Sequence, residues 1–326
     1  MKKALNGLVV NNIRKNIPKE KNITPILMEL LDLTKESTYR RIRNEIPFTF
    51  EEISKIALHF NISLDEIVGQ NTGKRIFFNL HELNHSVPIL QIRNVIIEII
   101  DVLHKVRNAT NSKVILAGNH FPTIFSISFP NITKFHYYKW IHQTEDVPLN
   151  FYYSDFDIPQ EILNLQKELK YNFQVISKQE IIIDKNTILS TLLDINYFYK
   201  RNLINESELR VIQEELYECI DLLERMTLKG GNQMGSEVLV YLSSLNIESN
   251  SSYFEYDGQT YTQLWSYFSD PISISNTQAS LVHKKWLNSL KKYSTLITRS
   301  GEIQRAKFLN LQRELISNIT EDLILL

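Results

Sequence analysis

Two short stretches of this sequence carry residue types that could do chemistry. His81-Glu82-Leu83-Asn84-His85 fits H-E-x-x-H, which on a helix sets two zinc ligands on one face with a carboxylate as general base. Lys35, Arg40, Arg41 and Arg43 fall within nine residues of one another. Such a run can neutralise phosphates and read base edges in a DNA groove.

The zinc chemistry requires a helical turn continuing on both sides of the motif, and a third ligand. Pro88 stands three residues after His85, where the motif helix would still be running, and the extended metzincin form needs glycine at that position. No later histidine or glutamate follows at a recognisable spacing, and Glu98 fits better as a charge on the next helix. His81 and His85 therefore read as linker or packing histidines. A zinc peptidase using His81, Glu82 and His85 stays as the remote alternative, and the chain is expected to be no enzyme, with no catalytic residue, cofactor or metal.

Other titratable groups offer less. His120, His136 and His142 sit in an aromatic segment and read as core or surface histidines rather than ligands. Cys219, the single cysteine, excludes an internal disulfide framework and a multi-cysteine zinc site, and reads as a buried, inert thiol. Asp155 and Asp157 precede Pro159 in an ordinary loop. The sequence has no P-loop, no G-x-G-x-x-G and no G-x-S-x-G.

The elements that would position the basic run are better specified. Ile23, Ile26, Leu27, Leu30 and Leu31 keep helical spacing, and Thr34 offers a hydroxyl N-cap for the next helix. Thr49 and Glu52 form a capping-box pattern with Phe48 and Ile53 as its staple. Ser63 and Glu66 repeat the device with Ile62 and Ile67. With an earlier helix around 5–17, five short helices are expected by residue 68, the third of them basic and preceded by a turn.

Helical phase leaves two arrangements for that third helix. With Tyr39 and Ile42 inward, the outer face carries Ser37, Arg40, Arg41 and Asn44. With Thr38 and Ile42 inward, it carries Glu36, Arg40, Arg43 and Asn44. Arginine can bind guanine, and asparagine adenine, through paired hydrogen bonds, while Lys35 and the helix N-terminus at Thr34 would hold phosphate.

Residues 5–69 resemble the lambda-repressor-like (Xre-type) helix-turn-helix domain. Thr34-Lys35-Glu36-Ser37-Thr38-Tyr39-Arg40-Arg41-Ile42-Arg43-Asn44-Glu45, then 47–52 and 61–65, are similar to bacterial regulators that carry a long, poorly characterised C-terminal domain. Asp32 departs from the glycine common at the turn, and the spacing from it to Tyr39 and Ile42 is one residue longer than the commonest form. The resemblance implies duplex DNA as partner, a recognition helix at about 35–45 in the major groove, and a homodimer on two half-sites. Its DNA-binding residues would be Thr34, Lys35, Glu36, Ser37, Arg40, Arg41, Arg43 and Asn44.

The rest of the chain sets the frame. Its 326 residues, 43% hydrophobic and 22% charged, suffice for two folded domains. Net charge is −1, so any basic patch is local; residues 1–72 hold eleven Lys/Arg against nine Asp/Glu. No signal peptide or membrane-spanning stretch is read, and a cytoplasmic protein is expected.

The domains expected are 1–70 for DNA binding, a linker at 71–87, and 88–326 for dimerisation or effector sensing. A helix of about twenty residues should follow Pro88, another should open at Asn205 and Glu208, and two more should lie near 278–293 and 301–319. Strands are expected at 237–247, 252–256 and 259–268, with Asp257-Gly258 as a hairpin turn. The fold class expected is mainly α: the five-helix head, and a larger, mostly helical α+β domain with a small antiparallel β element. The aromatic region 121–140 and the strands after Gly231 are candidate walls of a pocket for an effector. A module that recruits a protein partner is the alternative.

Overall fold

A computed structural model of the chain describes residues 2–16, 22–60, 62, 64, 88–265, 271–274 and 276–321. The chain divides into two compact units, 1–77 and 78–326.

In the first unit, α1 (Lys2–Asn16), α2 (Ile23–Leu31), α3 (Lys35–Ile42) and α4 (Phe50–Phe60) surround a core of Val9, Val10, Ile13, Leu27, Leu31, Phe48 and Ile56. Each start has a stated cause. The Asn22 side chain accepts from the Thr24 N–H, and Thr34 accepts from Ser37 at the head of α3. At α4 the capping box is complete, with the Thr49 N–H donating to Glu52 at 2.8 Å and the Glu52 N–H to Thr49 Oγ1 at 3.2 Å. Ser63 and Glu66, expected to open a fifth helix, lie outside the described residues, as do the 71–87 linker and His81–His85. Ile62 and Leu64 pack against the core.

The second unit corrects the expected fold class. Helix accounts for 58% of the described residues, but the β part is a mixed sheet of seven strands and not a small antiparallel element. After α5 (Pro88–Arg107), β1 (Ser112–Gly118) leads through α6 (Thr123–Ser126), α7 (Pro130–Thr144) and α8 (Gln160–Gln174) to β2 (Lys178–Ile183). Next come α9 (Leu189–Lys200), α10 (Glu206–Lys229) and β3 (Glu237–Ser243). A meander of β4 (Asn250–Tyr256), β5 (Gln259–Trp265) and β6 (Pro271–Ile274) precedes α11 (Thr277–Lys292), β7 (Ser294–Leu296) and α12 (Glu302–Ser317).

The strand order is β6-β5-β4-β1-β2-β3-β7, with β1, β2 and β3 parallel and the flanking pairs antiparallel. The strands not expected from the sequence are β1, β2, β6 and β7, and the first two are central to the sheet. β1 and β2 are short continuous apolar runs, Val114-Ile115-Leu116-Ala117 and Ile181-Ile182-Ile183, because helices cover both faces of a parallel sheet. Without alternation, such a run has no period that separates it from buried helix. The hairpin at Asp257-Gly258, by contrast, forms with positive φ at both residues, 43° and 78°.

The two faces have distinct fillings. Ile181, Ile183, Val238 and Val240 face a large core shared by α5, α7, α9, α10 and α12. Ile115, Ala117, Ile182 and Tyr253 face α11 through Leu287 and Leu290. On that second face the Glu180 carboxylate is buried between Lys113 at 2.7 Å and Lys291 at 2.5 Å.

Candidate nucleic-acid interface

The turn before α3 is made by Asp32, which adopts the left-handed conformation (φ 52°, ψ 49°) with its N–H bonded to the Met28 carbonyl. That geometry is why glycine is common at such a position, and an aspartate tolerates it better than most residues. α3 then starts at the Thr34 cap and ends at Asn44, itself left-handed at φ 63°.

Within α3, Thr38 is the fully buried residue and Tyr39 is only half-buried. The second of the two helical phases is therefore the one adopted. The Thr38 hydroxyl donates to the Thr34 carbonyl at 3.0 Å, so it enters the core with its polar group satisfied. Tyr39 instead lies under the Arg43 guanidinium, 5.6 Å from its ring centroid.

This phase sorts the eight expected DNA-binding residues. Lys35, Glu36, Arg40 and Arg43 are exposed along one side of α3, with Thr34 exposed at its start. Arg40 has Glu45 as a loose neighbour at 3.6 Å, about half of each side chain being in solvent. Such a pair is worth little and exchanges readily for phosphate or base.

The other three are engaged within the fold. Arg41 donates through Nε and Nη2 to the two Glu52 carboxylate oxygens at 2.9 and 2.8 Å, and through Nη1 to Ser37 Oγ at 2.7 Å. Asn44 Oδ1 accepts from Asn6 Nδ2 at 2.6 Å. Sequence phasing had Asn44 outward in both arrangements; its left-handed backbone ends the helix there and turns the amide to α1.

Two residues outside the expected DNA-binding set hold this geometry. Asn6, buried on α1, donates to the Arg41 carbonyl and accepts from the Phe48 N–H, both at 2.9 Å. It thereby ties the end of α3 to the approach of α4. Glu52 serves two helices at once, capping α4 and gripping Arg41. Burial pushes its pKa up, but the hydrogen bonds from Arg41 and Thr49 and the Arg41 charge outweigh it, and the carboxyl lies below its ordinary value. The Glu52 signal was half legible, as a capping box; its arginine partner eleven residues away was not.

In the second unit, Cys219 is buried on α10, and burial raises its thiol pKa well above the ordinary value. Asp155 accepts the Tyr152 N–H within a single 3-10 turn. His142 packs among Tyr138, Phe151 and Phe198, whereas His120 and His136 line a cavity. Among the described residues no group of three or more His, Cys, Asp or Glu could hold a metal ion. No helix among them is long and apolar enough to cross a membrane.

A short helix set behind a tight turn, with arginines on its free side, gives the N-terminal unit a helix-turn-helix-like arrangement. Residues 6–99 match the family model described as the BetR domain, a helix-turn-helix-like DNA-binding family. The match covers less than a third of the chain, ending within α5. No curated protein and no solved structure matches the chain.

Proposed function

We propose that the chain is a sequence-specific transcription regulator which binds duplex DNA with α3 in the major groove. The observation that carries this is the free side of α3, where Arg40 and Arg43 stand one turn apart and Lys35 sits at the helix start beside the Thr34 cap. Lys35 and the first N–H groups of α3 suit phosphate, and the two arginines suit guanine edges. The Xre-type likeness adds a homodimer on two half-sites, with the second unit supplying dimerisation and effector sensing and no catalysis of its own.

Genome-wide mapping of bound DNA followed by titration of the recovered operator tests this. Arg40→Ala is expected to weaken binding by about 1–3 kcal/mol, and chiefly at one base pair. Affinity should also fall steeply with salt. Operator binding unchanged in the double variant Arg40→Ala, Arg43→Ala would refute the assignment of α3 as the reading helix.

A further inference from the structure

The second unit holds a cavity of about 360 Å³, within the range that takes small organic molecules. It lies between α5 and the sheet, at the carboxyl end of β1, where the neighbouring strands change from parallel β2 to antiparallel β4. One wall is the stripe Ile92, Val95, Ile96, Ile99 and Leu103 of α5. At 1.5 Å per residue that apolar wall is about 16 Å long.

The opposite end is polar, and Lys139 is the charged side chain among the described residues that line it. His136, Lys139 and Gln143 reach it from one face of α7, being three and four residues apart, and His120 joins them from the end of β1. Among the described residues that line the cavity there is no aspartate or glutamate. The Lys139 ammonium is paired at 2.7 Å with Asp194, which lies outside the lining and is more than a third exposed. The His120 Nδ1 lies 2.6 Å from Asn119 Oδ1 and 3.1 Å from Asn250 Nδ2, and its tautomer selects which of the two it bonds.

We propose that this cavity binds a small amphipathic carboxylic acid, with its hydrocarbon body along the α5 stripe and its carboxylate at Lys139. An amine would meet the Lys139 ammonium, with the neighbouring Asp194 already engaged by it. A sugar or nucleotide would find polar groups such as Gln166, Asn250 and Gln263 but would leave one flank against the five aliphatic side chains of α5. A plain hydrocarbon would leave the Lys139 end unmatched. Burial and the Lys139 charge hold His136 neutral, with its pKa down at about 3, so Lys139 is the positive group that an arriving anion meets.

The proposal rests on the reading of the second unit as a sensor, but calorimetric titration of the full chain needs no DNA and succeeds or fails apart from the α3 assignment. The probes are decanoic acid and decanol. The acid should bind once per chain, and the alcohol about tenfold more weakly, the scale of one charge-assisted contact. Lys139→Gln should bring the acid down to the level of the alcohol while leaving the alcohol unchanged, which also shows that the cavity is intact. The double variant Lys139→Gln, Asp194→Asn should behave the same way, which excludes repulsion by an orphaned Asp194. Equal binding of acid and alcohol, acid binding indifferent to Lys139→Gln, or no binding of decanoic or octanoic acid would each overturn the proposal.

Discussion

Arg40 and Arg41 are adjacent in sequence, identical in chemistry and opposite in use. The Arg41 guanidinium spans Glu52 and Ser37 with little exposure, whereas half of the Arg40 side chain is in solvent. Replacing Arg41 by alanine removes charge-assisted hydrogen bonds and leaves Glu52 without its cation, at a cost of about 1.5–3 kcal/mol. Arg40→Ala should stay within about 0.5 kcal/mol of the parent in stability, the usual range for a surface site. Urea unfolding of the two variants separates the positions, and equal losses would contradict this division of labour.

Glu52 gives the same contact a pH signature. Its pKa is depressed in the folded state, so its stabilisation is complete above the unfolded glutamate pKa of about 4.3. As pH falls further, the unfolded chain takes up the proton first, and the contribution drains away until the folded carboxyl is protonated too. The difference in urea midpoint between the parent and Glu52→Gln should therefore be large at pH 7 and shrink towards pH 3. A gap that widened on acidification would reverse the sign of the argument.

At the scale of elements, α10 shows how much a sequence can specify locally. Asn205 and Glu208 form a reciprocal capping box at its start, and Gly230 closes it at φ 68°. A Cβ on Gly230 would strike Arg299, whose Nε donates to the Lys229 carbonyl at 2.8 Å. Gly230→Ala should cost more than about 1 kcal/mol, from the left-handed backbone and from the displaced guanidinium together. A thermal midpoint unchanged by that substitution would show that the cap is dispensable.

The helix starts at Thr34, Thr49 and Asn205 and the hairpin at Asp257-Gly258 were legible because each is a contract between residues a few positions apart. α3 was legible as an element but not in phase. A hydroxyl paired to its own helix made Thr38 the buried residue in place of the more apolar Tyr39. β1 and β2 were not legible because strands covered on both faces carry no alternation, and their partners lie 59 or more residues away.

For the molecule as a whole, the two units have separate cores, one built from Val9 to Ile56 and the others from residues beyond Ile92. Separate cores predict separate melting. Calorimetry of the full chain should give two transitions, with Arg41→Ala lowering one and leaving the other in place. A single transition shifted whole by that substitution would mean that the units unfold together.

The sequence by itself determined the helix-turn-helix order, the basic run, the ends of the helices and the aromatic segment from which a pocket wall could come. All of these rest on local propensity, capping and helical spacing. Only the tertiary structure decided which arginine is free and which is spent on the fold, that the large unit is built on a seven-stranded mixed sheet, and that α5, α7 and β1 enclose one cavity. Those outcomes depend on partners distant along the chain, Asn6 with Asn44 and Lys139 with Asp194 among them, and no residue announces a partner that only folding brings near.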